Sequence, residues 1–136
     1  MKKIVLFLLV ITGICMNVSA KETIKIGVFG NTSNASVDCA YKAVEMLCAE
    51  LTPAGGVYEF VPAFFDEKDP GAKDKINADG ELAAIIGCFS ENDAELVNSV
   101  KETPLISICE GYASFTGKGN TYRMTASNSE TAAIMA

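Results

Sequence analysis

The chain of 136 residues contains no histidine and no tryptophan. Without imidazole it can build neither a zinc site that uses histidine nor a catalytic triad with histidine as the base. Basic residues are also few, with 11 lysines and arginines against 17 acidic residues. Because no basic patch is available to offset phosphate charge, nucleic-acid binding is excluded. We therefore predict a protein that is not an enzyme and that holds no cofactor and no metal ion.

The first 20 residues have the order of a secretory signal peptide. Two lysines precede an apolar run from Ile4 to Ile11, and Val18 and Ala20 occupy the −3 and −1 positions before a cleavage point. The apolar run is shorter than the roughly 20 residues that a membrane-spanning helix needs. We therefore predict that residues 1–20 are a signal peptide and that the remainder is periplasmic. After cleavage the protein would not be an integral membrane protein.

Four cysteines follow the predicted cleavage point, namely Cys39, Cys48, Cys88 and Cys109. An even number permits disulfides in an exported protein, and Cys88 and Cys109 end two strands that we expect to be neighbours. The cysteines can equally be small buried hydrophobic residues. No C-x-x-C spacing occurs, so the cysteines give little support to metal binding. The sequence leaves the pairing open.

Strand and helix signals alternate along the rest of the chain. Ile24, Ile26 and Val28 alternate before Gly30 and predict a strand. Apolar residues at helical spacing then predict a helix that begins near a Ser36 N-cap and ends before Pro53. Further strands are predicted in 57–66, 81–87, 103–109 and 119–124, and further helices in 69–80, 90–102 and from 127 onward. This rhythm predicts an α/β fold, an open parallel sheet with helices on both faces.

The same periodicity predicts which side chains are buried. Pro62 has no amide hydrogen to donate, which places the second strand at an edge of the sheet. In the helix of 90–102 we expect Ala94, Val97 and Val100 to share one side. The predicted buried face of the first helix consists of Val37, Ala40, Val44, Leu47, Cys48 and Leu51.

Three loops follow the carboxyl ends of predicted strands, namely 31–36, 88–92 and 110–114. Open parallel sheets bind ligands beyond these ends, so the three loops predict the binding site. The candidate ligand-binding residues are Asn31, Ser90, Glu91, Glu110, Gly111 and Tyr112.

Several of these residues have a structural explanation as well. Ser90 can cap the helix that follows it, and Glu91 is an acid in a first helical turn, where the helix dipole favours it. Tyr112 can stack on a ligand or cover the sheet edge, whereas Glu110 has no obvious local structural role. Asp66 and Asp69 fall short of the six to eight oxygens of a calcium site. Gly27 and Gly30 lack the third glycine and acidic partner of a dinucleotide fingerprint.

In this order, the segments "IKIGVFGNTS", "FFDEKDP", "LAAIIGCFS" and "TYRMTASNSETAA" resemble the type I periplasmic binding proteins. The closest branch is the leucine/isoleucine/valine-binding kind, which serves ABC importers. Members resemble two-lobed clamps that close on a solute. The resemblance implies that 21–136 is the N-terminal part of a first lobe, and we expect that lobe to be truncated. It also implies a small amino-acid-like solute and an inner-membrane ABC permease as partners.

The predicted site departs from the pattern of this family. The family loop after the third strand presents a serine in a G-x-x-x-S arrangement, whereas Ser90 comes one place early and Glu91 takes that position. Glu110, Gly111 and Tyr112 stand where small residues and a threonine are common. Each acid would repel a solute carboxylate 4 Å away by about 1 kcal/mol or more. We therefore expect a cationic or neutral polar ligand. The alternative is an exported sensory or regulatory domain of the same fold that acts through protein contacts.

Overall fold

A computed structural model describes residues 21–52, 56–87, 89, 94–108, 119–126 and 128–135. The predicted signal peptide lies outside these residues. Strands and helices follow one another as expected. The strands are β1 (Glu22–Gly30), β2 (Tyr58–Asp66), β3 (Leu82–Gly87), β4 (Leu105–Ser107) and β5 (Thr121–Arg123). The helices are α1 (Ala35–Leu51), α2 (Ala72–Ala78), α3 (Ala94–Ser99) and α4 (Asn128–Met135).

The five strands form one sheet in the order β2-β1-β3-β4-β5, and each neighbouring pair is parallel. The predicted α/β architecture is therefore confirmed. β2 lies at one end of this order and is therefore an edge strand, as Pro62 indicated. Proline has no N–H to donate, so it is tolerated in a strand that pairs on one side only. From β1 the chain first adds β2 on one side and then β3 on the other side. The order of the strands thus reverses between β1 and β3, and this point is the topological switch point.

Two apolar cores cover the two faces of the sheet. Adjacent residues of β1 divide between them, since Val28 contributes to one core and Phe29 to the other. The core on the α1 face contains Val28, Val37, Val44, Cys48 and Phe89. The core on the opposite face, which we call the α2 face, contains Phe29, Phe65, Ala72, Ile76, Leu82, Ile85, Leu96, Val100 and Leu105.

The N-cap of α1 is Asn34, so the prediction of Ser36 was wrong. Asn34 has extended backbone angles, and its side-chain oxygen accepts a hydrogen bond from the amide of Ser36 at 2.9 Å. The side-chain oxygen of an N-cap residue accepts a hydrogen bond from a backbone N–H of the first helical turn, and Asn34 does this for Ser36. At the other end, the Thr52 hydroxyl accepts from the amide of Phe60 and donates to its carbonyl, which fixes the helix end to β2.

The burial predicted for the helices was only partly right. In α1, Val37, Val44 and Cys48 are buried and Ala40 is half-buried, whereas Leu47 and Leu51 remain 43% and 40% exposed. The helix contacts β1 and β2 over a narrow stripe, so its flanks reach solvent. In α3 the Leu96 side chain is buried, although the sequence analysis did not select it. The side chains of Ala94 and Val97, which it did select, lie outside those that the structure describes. Val100, directly after α3, is buried as predicted.

Gly30 marks the closest approach between β1 and α1. A Cβ atom at Gly30 would lie 2.7 Å from Cγ2 and 3.0 Å from Cγ1 of Val37. Only glycine therefore lets the first turn of α1 lie directly over the end of β1. The close approach places the start of α1 beside the carboxyl edge of the sheet.

Among the residues that the structure describes, no helix is long and apolar enough to cross a membrane.

Candidate functional site

The candidate site is the carboxyl edge of the sheet near the switch point. β1 ends there at Gly30, β3 at Gly87, β4 at Ser107 and β5 at Arg123. Parallel strands end at the same edge, and ligands of open α/β sheets bind in the crevice beyond it. β2 ends at the same edge, at Asp66, so the described residues place five strand ends there, and a small molecule can contact several of them.

Asn31 is the predicted ligand residue that the structure describes, and it lies at this edge. Its Oδ1 accepts a hydrogen bond from the amide of Ser33 at 2.9 Å, and its carbonyl accepts from the amide of Asn34 at 2.8 Å. These bonds fold the loop so that α1 starts next to β1. No described residue accepts a hydrogen bond from Nδ2 of Asn31, so this donor is available to a solute. The N-terminus of α1 adds a positive partial charge beside it.

The other five predicted ligand residues, Ser90, Glu91, Glu110, Gly111 and Tyr112, lie outside the described residues. Cys88 and Cys109 also lie outside, so their pairing stays a prediction. Cys39 and Cys48 are free thiols. Cys48 is buried as a small apolar residue, and burial raises the pKa of its thiol. Cys39 is exposed, so the hydrophobic explanation does not hold for it.

The last row of side chains on the α2 face becomes polar toward β5. Phe65 pairs with Phe29, Gly87 pairs with Ser107, and Ser107 pairs with Arg123. Leu105 and Thr121, one row behind, form the next pair in β4 and β5. Since partners in parallel strands point to the same face, Ser107, Thr121 and Arg123 are neighbours on one surface.

Ser107 is fully buried, yet its hydroxyl has no hydrogen-bond partner among the described residues. The Thr121 hydroxyl is also buried without a described partner. An unpaired buried hydroxyl typically costs about 1–3 kcal/mol, and native structures hold few of them. The sequence analysis missed both residues. The sequence does offer one signal. In the strand "LIS" the alternation of side chains turns the final serine toward the core, where a polar residue is unusual.

Arg123 carries a positive charge at the end of this row. Its side chain is only 13% exposed and contacts the Glu130 carboxylate of α4 through Nη2 at 3.2 Å. The Glu130 side chain is 64% exposed. An ion pair with one exposed partner is weak, because water competes for that partner. The pair joins the end of β5 to α4.

Asp66 and Asp69 are used to start α2. Oδ1 of Asp66 accepts from the amide of Lys68, and Oδ1 of Asp69 accepts from the amide of Gly71, both at 2.9 Å. The other oxygen of Asp69 pairs with Lys75, and these bonds lower the pKa of Asp69. Within the described ranges, no three potential ligand side chains are grouped closely enough to hold a metal ion.

A depression of about 400 Å³ lies at the opposite, amino edge of the sheet, beside Leu82, Lys101 and Pro104. Two of its polar side chains, Asn77 and Asp79, are used by the fold. The Asn77 amide donates to the carbonyl of Ser99 and accepts from the amide of Lys101. Asp79, also in the lining, forms an ion pair with Lys25 at 3.0 Å. We therefore favour the carboxyl edge as the site.

Comparison with known proteins assigns the chain to no family. No family model, no curated protein and no solved structure matches it. The geometry of the sheet edge is therefore the basis for a functional proposal.

Proposed function

We propose that this chain is part of an exported solute-binding protein of the type I periplasmic binding class, which delivers a small amino-acid-like solute to an ABC permease. The solute contacts the loops at the carboxyl ends of β1, β3 and β4. Asn31 binds it through Nδ2, and the start of α1 lies beside its negatively charged group. The protein binds and releases this solute without chemical change.

The observation that carries the proposal is the position of Asn31 at the topological switch point. β1 and β3 are neighbours in the sheet, and the chain leaves β1 by Asn31 toward α1 on one face. It leaves β3 toward α3 on the other face, where Leu96 packs over Gly87. Two connections that diverge from neighbouring strands leave a crevice between them, and α/β proteins bind small molecules in such crevices.

The binding should be weak for the chain alone. Tight sites enclose about 70–90% of a small ligand, whereas one sheet edge contacts it from one side. We expect no micromolar affinity for the common amino acids in titration calorimetry. Millimolar binding is still visible as shifts of amide resonances in NMR spectra.

The test is an NMR titration of residues 21–136 with each common amino acid. Perturbed amides should cluster at the carboxyl edge, at Asn31, Ser33 and Ser107. Amides at the amino edge, such as Gly80 and Thr103, should not move. Shifts confined to the amino edge, or the absence of shifts with every solute, would contradict the proposal.

Asn31→Asp is the variant that isolates the proposed contact. The new carboxylate keeps an oxygen that can accept from the Ser33 amide, so the loop can keep its fold, but the Nδ2 donor is lost. A solute carboxylate would then meet a negative charge, and we expect its shifts to disappear. Asp66→Asn, at the end of the edge strand β2, is the control and should leave them in place.

A second candidate function, the sensory or regulatory domain, is favoured by the apolar side chains at the end of the described chain. Tyr122, Met124, Ile134 and Met135 are all exposed. Such side chains often mark protein contacts. If this function is correct, substitutions of these residues should affect partner binding while the Asn31 contact remains unimportant.

A further inference from the structure

We propose that this chain forms a two-fold symmetric homodimer, in which α4 of each copy packs on an open apolar strip of the other copy's sheet. This open strip lies on the α1 face across β3, β4 and β5, and consists of Ala84, Ile86, Ile106, Ile108, Tyr122 and Met124. The partner is thus a second copy of this chain, and the solute site at Asn31 is not needed for the contact.

One row of side chains shows where the cover of the α1 face ends. Val28, Ile86, Ile106 and Tyr122 are successive register partners from β1 to β5. Val28 is fully buried in the core beneath α1, the two isoleucines are half-buried, and Tyr122 is 58% exposed. Met124 continues the alternation after β5 and is 72% exposed. The α1 face is therefore covered at β1 and increasingly open toward β5.

The described helices explain this difference between the faces. α1 packs on β1 and β2, whereas Ile76 of α2 and Leu96 of α3 belong to the core of the α2 face, where Ile85 and Leu105 are completely buried. The strands of a parallel sheet are normally covered on both faces. The open strip is apolar throughout, which is the composition of a covered face and not of a face in water. It is therefore a contact surface.

The helix α4 is the complementary feature. Its described side chains, residues 130–135, are all exposed, with Ile134 at 86% and Met135 at 83%. A helix of eight residues is marginal in water by itself, so α4 needs a surface to pack on. Glu130 contacts Arg123, whose register partner Ser107 is buried on the α2 face. α4 thus starts on the side of the sheet opposite to its own open strip, and the strip that it can cover is that of a second copy.

A two-fold axis parallel to β5, beside this edge of the described sheet, brings the two features together. Such an axis turns the second copy over, so that its α2 face lies on the side of the first copy's α1 face. The second copy's α4 then lies beside the open strip of the first copy, and the reverse contact is identical. Contacts of this kind are isologous and close with two copies.

The exposed apolar surface has the size that a weak dimer needs. Tyr122, Met124, Ile134 and Met135 are 58–86% exposed. Together they expose roughly 600 Å² per chain, which is at the upper end for patches on monomers. Two copies would bury about 1,200 Å² in total, the lower limit for specific interfaces. We therefore expect a dimer that dissociates on dilution.

The charge of the chain gives a readout for the nature of the contact. Each copy has a net charge of −6, so two copies repel each other. Salt screens this repulsion, and an apolar contact should therefore tighten as the salt concentration rises. A contact held by ion pairs would weaken instead.

Sedimentation velocity over a range of protein concentrations tests the dimer. The full chain is expressed, and the protein is purified in the form that the cells produce. We expect an equilibrium between monomer and dimer that shifts toward the dimer when sodium chloride is raised. A monomer at every concentration, assemblies larger than a dimer, or dissociation by salt would overturn the proposal.

Three variants locate the contact. Ile134→Glu in α4 and Met124→Lys in the open strip should each weaken the dimer at least about tenfold, because each places a charge in an apolar contact. Met46→Lys is the matched control, since Met46 is 67% exposed on the outer surface of α1. It introduces the same charge as Met124→Lys and should leave the dimer intact. Circular dichroism verifies that all three variants keep the fold. An equal loss in Met46→Lys would overturn the assigned surface.

A mixture of two variants tests the exchange of α4 between copies. When Ile134→Glu and Met124→Lys are mixed, one contact pairs the new glutamate with the new lysine, and the other contact has no substitution. The mixture should therefore dimerise although neither variant does so alone. A mixture that stays monomeric would overturn the packing of α4 on the open strip, and so would a dimer of Met124→Lys as strong as that of the unmodified protein.

The outcome is independent of the proposed function. Amino-acid shifts at Asn31 in a protein that stays monomeric would reject the dimer and retain solute binding. A dimer with the expected response to the variants, but without amino-acid shifts at Asn31, would retain the dimer and reject the solute site.

Discussion

Two glycines of this chain lie where close packing leaves little room for a side chain. Gly30 lies where a Cβ atom would meet the Val37 side chain, and Gly87 lies under Leu96. Gly80, in contrast, has open space around its Cα, and a Cβ atom added there would have no heavy atom within 4 Å. The two kinds of glycine should respond to the same substitution in opposite ways.

Gly30→Ala should destabilise the protein by about 1–3 kcal/mol, because the new methyl group overpacks the contact with Val37. Gly80→Ala should be neutral or stabilise it by up to about 1 kcal/mol, since alanine restricts the unfolded chain. The free energy of unfolding from urea titrations measures both. Equal effects would show that the β1–α1 contact is looser than the structure describes.

The N-cap of α1 gives a second prediction at this scale. Asn34→Ala should cost about 1 kcal/mol of stability, because the amide of Ser36 loses its acceptor. Ser36→Ala should change the stability by much less, since its side chain is exposed in the first turn. Urea titrations of the two variants distinguish the caps. A larger loss of stability for Ser36→Ala would show that Ser36 is the N-cap, as the sequence analysis predicted.

The elements themselves were largely predictable from the sequence. Alternation in β1 and continuous apolar residues in β3 identify strands with different burial, and Pro62 identifies an edge strand. The short helix α2 follows from its polar composition and from Gly80. Burial of individual side chains was harder to predict, because it depends on how much of the helix surface the neighbouring strands cover. Leu47 and Leu51 have helical spacing, but α1 packs mainly through Val37, Val44 and Cys48.

The start of α2 should contribute to acid sensitivity. Hydrogen bonds from Lys75 and from the Gly71 amide favour the charged form of Asp69 and lower its pKa below the ordinary value of 3.8. The folded protein thus binds a proton at Asp69 less readily than the unfolded chain does. This contribution to stability is present above pH 3.8 and is lost as the pH falls through the lowered pKa.

Asp69→Asn should therefore reduce the loss of stability between about pH 5 and pH 2. Urea midpoints across this range provide the measurement. Asp74→Asn, which changes an exposed carboxylate in the same helix, is the control and should retain the slope of the unmodified protein. An unchanged slope in Asp69→Asn would mean that its bonds do not persist in solution.

At the scale of the whole molecule, the sheet order determines which residues can act together. The sequence indicated parallel strands and therefore a common edge, which is where Asn31 lies. It did not indicate that Ser107 and Arg123 are register partners, because that pairing brings together two strands with a long connection between them. Local patterns carry no information about such register, so the polar pair was not predictable.

The exposed apolar side chains at β5 and α4 predict association at high concentration. Substituting Met124 and Ile134 together by serine should reduce the average mass in sedimentation experiments at high protein concentration. Val57→Ser is the control, because Val57 is similarly exposed but lies beside β2, at the other edge of the sheet. Association that persists unchanged in the double variant, or that disappears in the control, would place the contact elsewhere.

The central position of β1 also affects the time course of folding. β1 leaves the ribosome first, but its partners in the sheet, β2 and β3, are made only after one or two helices have followed. Every pairing between strands must therefore close a long loop, and sheets of this kind form slowly. A nascent chain of this design stays open for longer than a helical bundle of equal length. Slow closure would suit the export that we propose, since an exported chain crosses the membrane before it folds.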